Sequence, residues 1–212
     1  LIQAVLATED RRFYSHFGLD LFGLVRAAYA NLYAGRIVQG GSTLTQQLAK
    51  NLFLSPERTL KRKVQEFILS LWLEQKFSKD QILTVYLNRV YLGSGTYGVE
   101  AASRRYFKKS AMNINTYEAA MLAGLLKAPS RYNPLHNLQL AKKRAGQVLT
   151  NMVAAGYLSE VSKESLSKFS IGVKPSETSR EFHYFTDWVL SQISSYVSVG
   201  NADIVVRTTL DK

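Results

Sequence analysis

Runs of apolar residues at helical spacing dominate the chain, broken by short polar stretches that carry helix-start signals. Residues Ile2 to Ala7 read as the last turns of a helix ending in TEDRRFYSHFG. Asp20 can cap a second helix through about Ala34, stopped by Gly35. Its apolar residues (Leu21, Phe22, Leu24, Val25, Ala28, Tyr29, Leu32 and Tyr33) cover more than one stripe. That pattern suits a buried helix or a surface helix dipping into lipid. Ser42 or Thr43 caps the next helix, and Thr43 with Gln46 has capping-box spacing. Ser55 followed by Pro56 predicts the start of another, on which Leu60, Val64, Phe67, Ile68, Leu71 and Trp72 share one face. The helical period places Glu66 nearly opposite that face, close to Arg62 and Lys63, with Leu69 and Leu73 on its own side. A partly enclosed carboxylate is expected there.

Ser78 and Gln81 form a second capping box, opening a helix to about Tyr91. The loop GSGTYG leads to a helix from about Val99 to Phe107, and Asn115 with Glu118 starts an apolar helix ended by Pro129. A further helix runs from about Leu138 to Ala155, and a short one follows Ser159. Residues 172–180 are the best linker candidate. An amphipathic helix from about Phe182 to Val199 and a strand, IVVRTTL, without strand partners would follow. The pattern predicts a mainly α fold, with a principal domain over 1–172 and a C-terminal helix and linker strand over 173–212.

Composition narrows the chemistry. Lys and Arg number 27 against 16 Asp and Glu, a net charge of +11, which predicts an anionic partner. The absence of cysteine removes disulfides, thiolate metal sites and a cysteine nucleophile. His16, His136 and His183 lack ligand spacing, so no protein-built metal site is expected. No apolar run is long enough to span a bilayer. The chain opens inside a helix, and a fragment lacking its membrane anchor is expected.

Three motifs do not survive their context. Gly93, Gly95 and Gly98 match the dinucleotide fingerprint GxGxxG, but they follow a capped helix and no strand–turn–helix unit surrounds them. Ser165 and Lys168 fit SxxK without the companion motifs SDN and KTG. The basic run from Arg104 to Lys109 has no nucleic-acid module around it, so nucleic acid is not the expected partner.

The stretch from Gly40 to Glu66 concentrates what remains. It sets Thr43, Gln46, Gln47, Lys50 and Asn51 before Arg58, Lys61, Arg62, Lys63 and one acid, Glu66. A second acid, Glu9, precedes Asp10 and two arginines. On spacing alone both are also ordinary capping or ion-paired acids. Transfer of a sugar needs one carboxylate to take the proton of the attacking hydroxyl. A pyrophosphate leaving group calls for lysines and arginines rather than a strong acid. One acid apart from a second embedded in cations fits that division of labour.

EDRRFYSHFGLD, GGSTLTQQLAKN, RKVQEFILSLWLEQ, GVEAASRRYF and LLKAPSRYNP, in this order, resemble the peptidoglycan glycosyltransferase domain of class A penicillin-binding proteins. The resemblance implies a lysozyme-like, two-lobed helical fold with a head and a membrane-dipping jaw over about 18–40. Its closing VVRTTLDK is similar to the link into an absent transpeptidase domain. It implies polymerisation of lipid II into β-1,4-linked glycan strands, with inversion at the donor anomeric carbon and release of undecaprenyl pyrophosphate. The setting implied is the extracytoplasmic face of the cytoplasmic membrane.

By the same resemblance Glu9 is the catalytic base and Glu66 the second essential glutamate. Lys50 and Arg58 would contact the donor pyrophosphate, and Arg62 and Lys63 phosphate or sugar groups near Glu66. Thr43, Gln46, Gln47 and Asn51 would hydrogen-bond in the cleft, while Asp10, Phe13 and His16 shape the pocket beside Glu9. His16 is equally readable as a packed histidine orienting its loop. No cofactor is required, although a divalent cation (Mg or Mn) could sit at the pyrophosphate. Moenomycin-like phosphoglycolipids are the expected inhibitors. Two alternatives stand beside this: a lysozyme-like glycan-cleaving hydrolase or lytic transglycosylase, and a non-catalytic module binding an anionic surface.

Overall fold

The chain folds around small and apolar helix faces that have no other way to leave water. The structure is a computed structural model that describes residues 1–36, 40–55, 57 and 59–167. These fall within one compact unit. The segment 173–212, with its expected linker, helix and strand, lies outside the described residues. Among the described residues there are nine α-helices and no strand, only two isolated bridges. This is the mainly helical fold expected.

At the centre, α7 (Thr116–Leu125) is buried from Tyr117 to Leu125. Its sequence YEAAMLAGL presents small or apolar side chains on every side, so it must be surrounded. It packs against α8 (Leu138–Ala154) and α1 (Ile2–Glu9). The short α9 (Glu160–Ser167) closes that side. On the other side α3 (Leu44–Phe53) rests on α4 (Leu60–Lys76) and α5 (Lys79–Arg89), and α6 (Val99–Phe107) links α5 to α7.

The capping signals work as read. Thr43 and Gln46, Ser78 and Gln81, and Asn115 and Glu118 each form a reciprocal capping box. Asp20 Oδ1 accepts from the amide of Gly23 at 2.8 Å and starts α2 (Leu21–Tyr33). The start of α4 differs from expectation. Its N-cap is Thr59, whose hydroxyl accepts from the Arg62 amide at 3.1 Å. Thr59 stands three residues before that amide, so it satisfies the orphan donor more directly than Ser55. The glycines of GSGTYG all take positive φ, at 89°, 70° and 81°, in the turn joining α5 to α6. Tyr91 and Tyr97 bridge antiparallel across it. The dinucleotide reading has no strand to stand on.

Two helices turn their apolar side chains outward. On α2 only Gly23 and Ala27 are buried, while Phe22, Val25, Tyr29, Leu32 and Tyr33 are exposed. On α4 the buried residues are Glu66, Ser70, Leu73 and Glu74, and the apolar stripe of Leu60, Val64, Phe67, Ile68 and Trp72 faces out. Trp72 stands edge-on to Phe53 and Phe77, extending that surface.

Candidate active site

The site is assembled at the C-terminal end of α1, where Glu9 is the last helical residue and Asp10 the first beyond it. Asp10 is buried and uses both oxygens. His16 Nε2 lies 3.0 Å from each, and the Leu44 amide donates to Oδ2 at 3.0 Å. Leu44 opens α3, so one carboxylate joins the Glu9 loop to that helix start, where an anion is favoured. The His16 side chain is only 4% exposed and meets Phe13 edge-on. The packed reading of His16 is the one this geometry supports. Phe13 is buried in a short 3₁₀ turn (Phe13–Ser15), with the Lys79 ammonium 4.5 Å from its ring centre. That ammonium also pairs with buried Glu74 at 2.7 Å, and Glu74 accepts from Thr45 at 2.6 Å. Phe13, α3, α4 and α5 are thereby pinned together under the loop.

Glu9 itself is half-buried. Its Oε2 accepts from Gln47 Nε2 at 3.0 Å, and Gln47 Oε1 accepts from the Tyr86 hydroxyl at 3.0 Å. Burial pushes the Glu9 carboxyl above its ordinary value. Gln47, Arg144 and Lys127 oppose that push, and Asp10 adds to it slightly. A carboxyl raised in this way is a stronger base than an ordinary glutamate, the direction a proton acceptor needs.

Gln47, Lys50 and Asn51 stand at i, i+3 and i+4 on α3 and share its Glu9-facing side. Thr43 and Gln46 are buried and engaged in the capping box; Thr43 also donates to Gly18 O at 2.7 Å and lines the pocket beside Glu9. Gly18 has φ +74°, and a Cβ there would come 3.1 Å from Ser70 O. The loop therefore lies directly on the α4 backbone, one turn beyond Glu66.

Glu66 is 3% exposed and held by two ion pairs, to Arg62 at 3.1 Å and Lys63 at 2.7 Å. The Lys63 ammonium also donates to Ser42 Oγ at 2.8 Å. Ser42 lines one pocket with Glu9, Asp10, Arg11, Arg26 and Thr43. Lys63 thus ties Glu66 to Ser42, a residue of the pocket wall that Glu9 shares. Arg58 lies outside the described residues. Arg144, Lys127, Arg26 and Tyr86 were not singled out from the sequence, and Ser42 only as a possible helix cap. The cations resemble any solvated surface charge until α8 is brought against α1, and Tyr86 reads as one more core residue of α5.

Two of the motifs set aside from the sequence have partners of their own. Arg104 pairs with Glu100 and Lys109 with Glu118, so two cations of that run are matched by the protein's own acids. Ser165 Oγ donates to its own helix, at Val161 O; Lys168 lies outside the described residues.

The family model described as Transglycosylase matches residues 1–153. The chain belongs to the transglycosylase family. It is 49% identical over 212 residues to penicillin-binding protein 1A of Aquifex aeolicus, covering 99% of this chain and 28% of the relative. It is 49% identical over 160 residues to penicillin-binding protein 1A of Escherichia coli, covering 76% of this chain and 19% of that relative. The chain thus spans less than a third of the length of the curated relatives it matches. The crystal structure of penicillin-binding protein 1A from Haemophilus influenzae shares the fold, with a TM-score of 0.50 and 28% identity over 74% of this chain and 20% of that one. The resemblance carried by the five sequence blocks is therefore real, and this transglycosylase domain is an enzyme rather than a passive anion-binding module.

Proposed function

We propose that the domain is a peptidoglycan glycosyltransferase that polymerises lipid II. The observation that carries this is the placement of Glu9: raised by burial, anchored through one oxygen to Gln47, and on the wall of a pocket shared with Arg11, Arg26 and Ser42, the last of which Lys63 ties to Glu66. In the reaction the ionised Glu9 takes the proton of the acceptor 4-hydroxyl as its oxygen attacks the donor anomeric carbon. The new C–O bond forms as the bond to the pyrophosphate oxygen breaks on the opposite face, inverting the centre. The pyrophosphate leaves as an anion, met by Lys50, Lys63 and Arg62, with Arg58 as a further candidate from its place in the motif. Glu66 keeps the last two of those cations in place. Gln47 and Asn51 are the cleft's hydrogen-bonding side chains.

Among the described residues no three histidine or acidic side chains converge as metal ligands, and charge neutralisation in this reading rests on the basic side chains. A divalent ion, where one took part, would be held chiefly by the pyrophosphate. The phosphoglycolipid inhibitors would occupy the same pocket through their phosphate. Among the described residues no helix is long and apolar enough to cross a membrane. The outward apolar faces of α2 and α4 supply the contact with the bilayer instead, on its extracytoplasmic side. The remaining length of the full protein would hold the anchor and the transpeptidase domain.

Glu9→Gln tests this directly. The variant should still bind a lipid-linked disaccharide pyrophosphate and lose polymerisation by roughly 10²–10⁴-fold, the usual contribution of a general base. Polymerisation at the parent rate would sink the assignment. So would cleavage of finished glycan without any polymerisation, which would restore the hydrolase alternative.

A further inference from the structure

We infer that Tyr86 is a positioning residue for Glu9, acting through Gln47 so that one carboxylate oxygen is held and the other is left for the acceptor hydroxyl. The inference rests on Glu9 being the base proposed above. Tyr86 is 1% exposed on α5, and its hydroxyl lies 3.0 Å from Gln47 Oε1. Gln47 Nε2 lies 3.0 Å from Glu9 Oε2. A carboxamide between a carboxylate and a hydroxyl has two orientations. Only one is acceptable: turned over, its carbonyl oxygen would face the carboxylate oxygen, and two acceptors would meet. The amide N–H therefore faces Glu9, and the Tyr86 proton must point at Gln47.

Tyr86 makes that orientation permanent. A water at its place could reorient and let the amide turn, whereas a phenol packed in the core cannot. Burial, with the nearby Glu9 charge, pushes the Tyr86 phenol well above its ordinary value, so it remains a donor throughout the working range. One oxygen of Glu9 is then fixed, and the direction of the second follows from carboxylate planarity. Proximity catalysis depends on that direction, since small misplacements of a reacting group cost large factors in rate. The other groups that set the Glu9 charge are Arg144 on α8, Lys127 just after α7 and Asp10 beside it, and none of them is altered by removing the phenol oxygen.

The test is a double-mutant cycle of Tyr86→Phe and Gln47→Ala, with Glu9→Gln as reference, on a fluorescent lipid II analogue. Tyr86→Phe keeps the ring and should lower kcat roughly tenfold, the scale of one hydrogen bond to a charged group, with KM little changed. The acid limb of its kcat–pH profile should move upward, because a freely turning Gln47 stabilises the ionised carboxylate less. In the Gln47→Ala background the Tyr86 change should add nothing, as for residues acting in series. Equal losses in both backgrounds would mean that Tyr86 serves packing alone, which overturns the inference. An unmoved acid limb does so as well. Should Tyr86→Phe fail to fold by circular dichroism, Gln47→Ala alone must show the upward shift or the inference fails. Glu9→Gln retaining turnover would reject the base assignment itself; Glu9→Gln inactive with Tyr86→Phe unaffected would reject only the role of Tyr86.

Discussion

Helix α7 is apolar on every side and α4 carries an apolar stripe, and they bury opposite things. In α7 everything from Tyr117 to Leu125 goes inside, and the helix packs against α1 and α8. In α4 Glu66, Ser70 and Glu74 go inside beside Leu73, and Leu60, Val64, Phe67, Ile68 and Trp72 go out. The inward face of α4 is tolerable because each acid on it has cations: Arg62 and Lys63 for Glu66, Lys79 for Glu74. Its outward face, with Ile68 58% exposed and Leu60 88% exposed, is costly only if the neighbour is water. One half of the molecule is built to exclude solvent from itself. The other leaves an apolar surface outward and keeps its buried acids paired with cations.

Mutations can break that contrast in order of expected size. Leu149→Ala, within the α8 side of the core where the side chain is fully buried, should cost about 2–5 kcal/mol by urea unfolding. Glu66→Gln keeps the shape but removes the charge facing Lys63 and Arg62. It should cost roughly 1–3 kcal/mol, the scale of a hydrogen bond to a charged group, and should lower turnover. If stability and rate were both unchanged, the inward face of α4 would have no part in the site. Ile68→Ser, on the outward face, should change stability by no more than about 0.5 kcal/mol. It should nevertheless weaken sedimentation with anionic lipid vesicles, and unaltered partition would leave that face without a purpose.

Glu9 offers the finest test, through pH. Its carboxyl is raised in the folded state by burial, so folding favours its protonated form. That contribution is complete below the ordinary glutamate range and is lost as pH rises through the raised folded value. Gln47, Arg144 and Lys127 restrain the shift, so the effect is modest. Glu9→Gln should therefore melt slightly above the parent protein at neutral pH, and the difference should close at about pH 3. A variant that melts lower at neutral pH would show that the ionised carboxylate is a net stabiliser of the fold, contrary to its burial.

Local signals were legible where one residue speaks to a near neighbour. The capping pairs Thr43 with Gln46, Ser78 with Gln81 and Asn115 with Glu118 act over three positions, and each starts its helix as read. The period that set Glu66 opposite Ile68 also held, and so did its enclosure. What was not legible is that the opposite, apolar stripe of α4 would be left exposed, because its partners are not encoded in the period. The resemblance puts Thr43 and Gln46 in the cleft, and the structure adds the reciprocal capping bonds they make at the start of α3. Tyr86, Arg144 and Lys127 enter only through tertiary packing, which no local pattern encodes.

Asp10 has a consequence beyond its neighbours. A single carboxylate follows the proposed base, grips His16 across a five-residue gap and seats the first amide of the helix that bears Gln47. Base and amide are thus indexed to one common origin, like two hands set on a single arbor. Substitution at exposed positions between 11 and 15 leaves that indexing intact, whereas adding or deleting one residue there would rotate the base relative to its anchor. The loop is free in spelling and fixed in length.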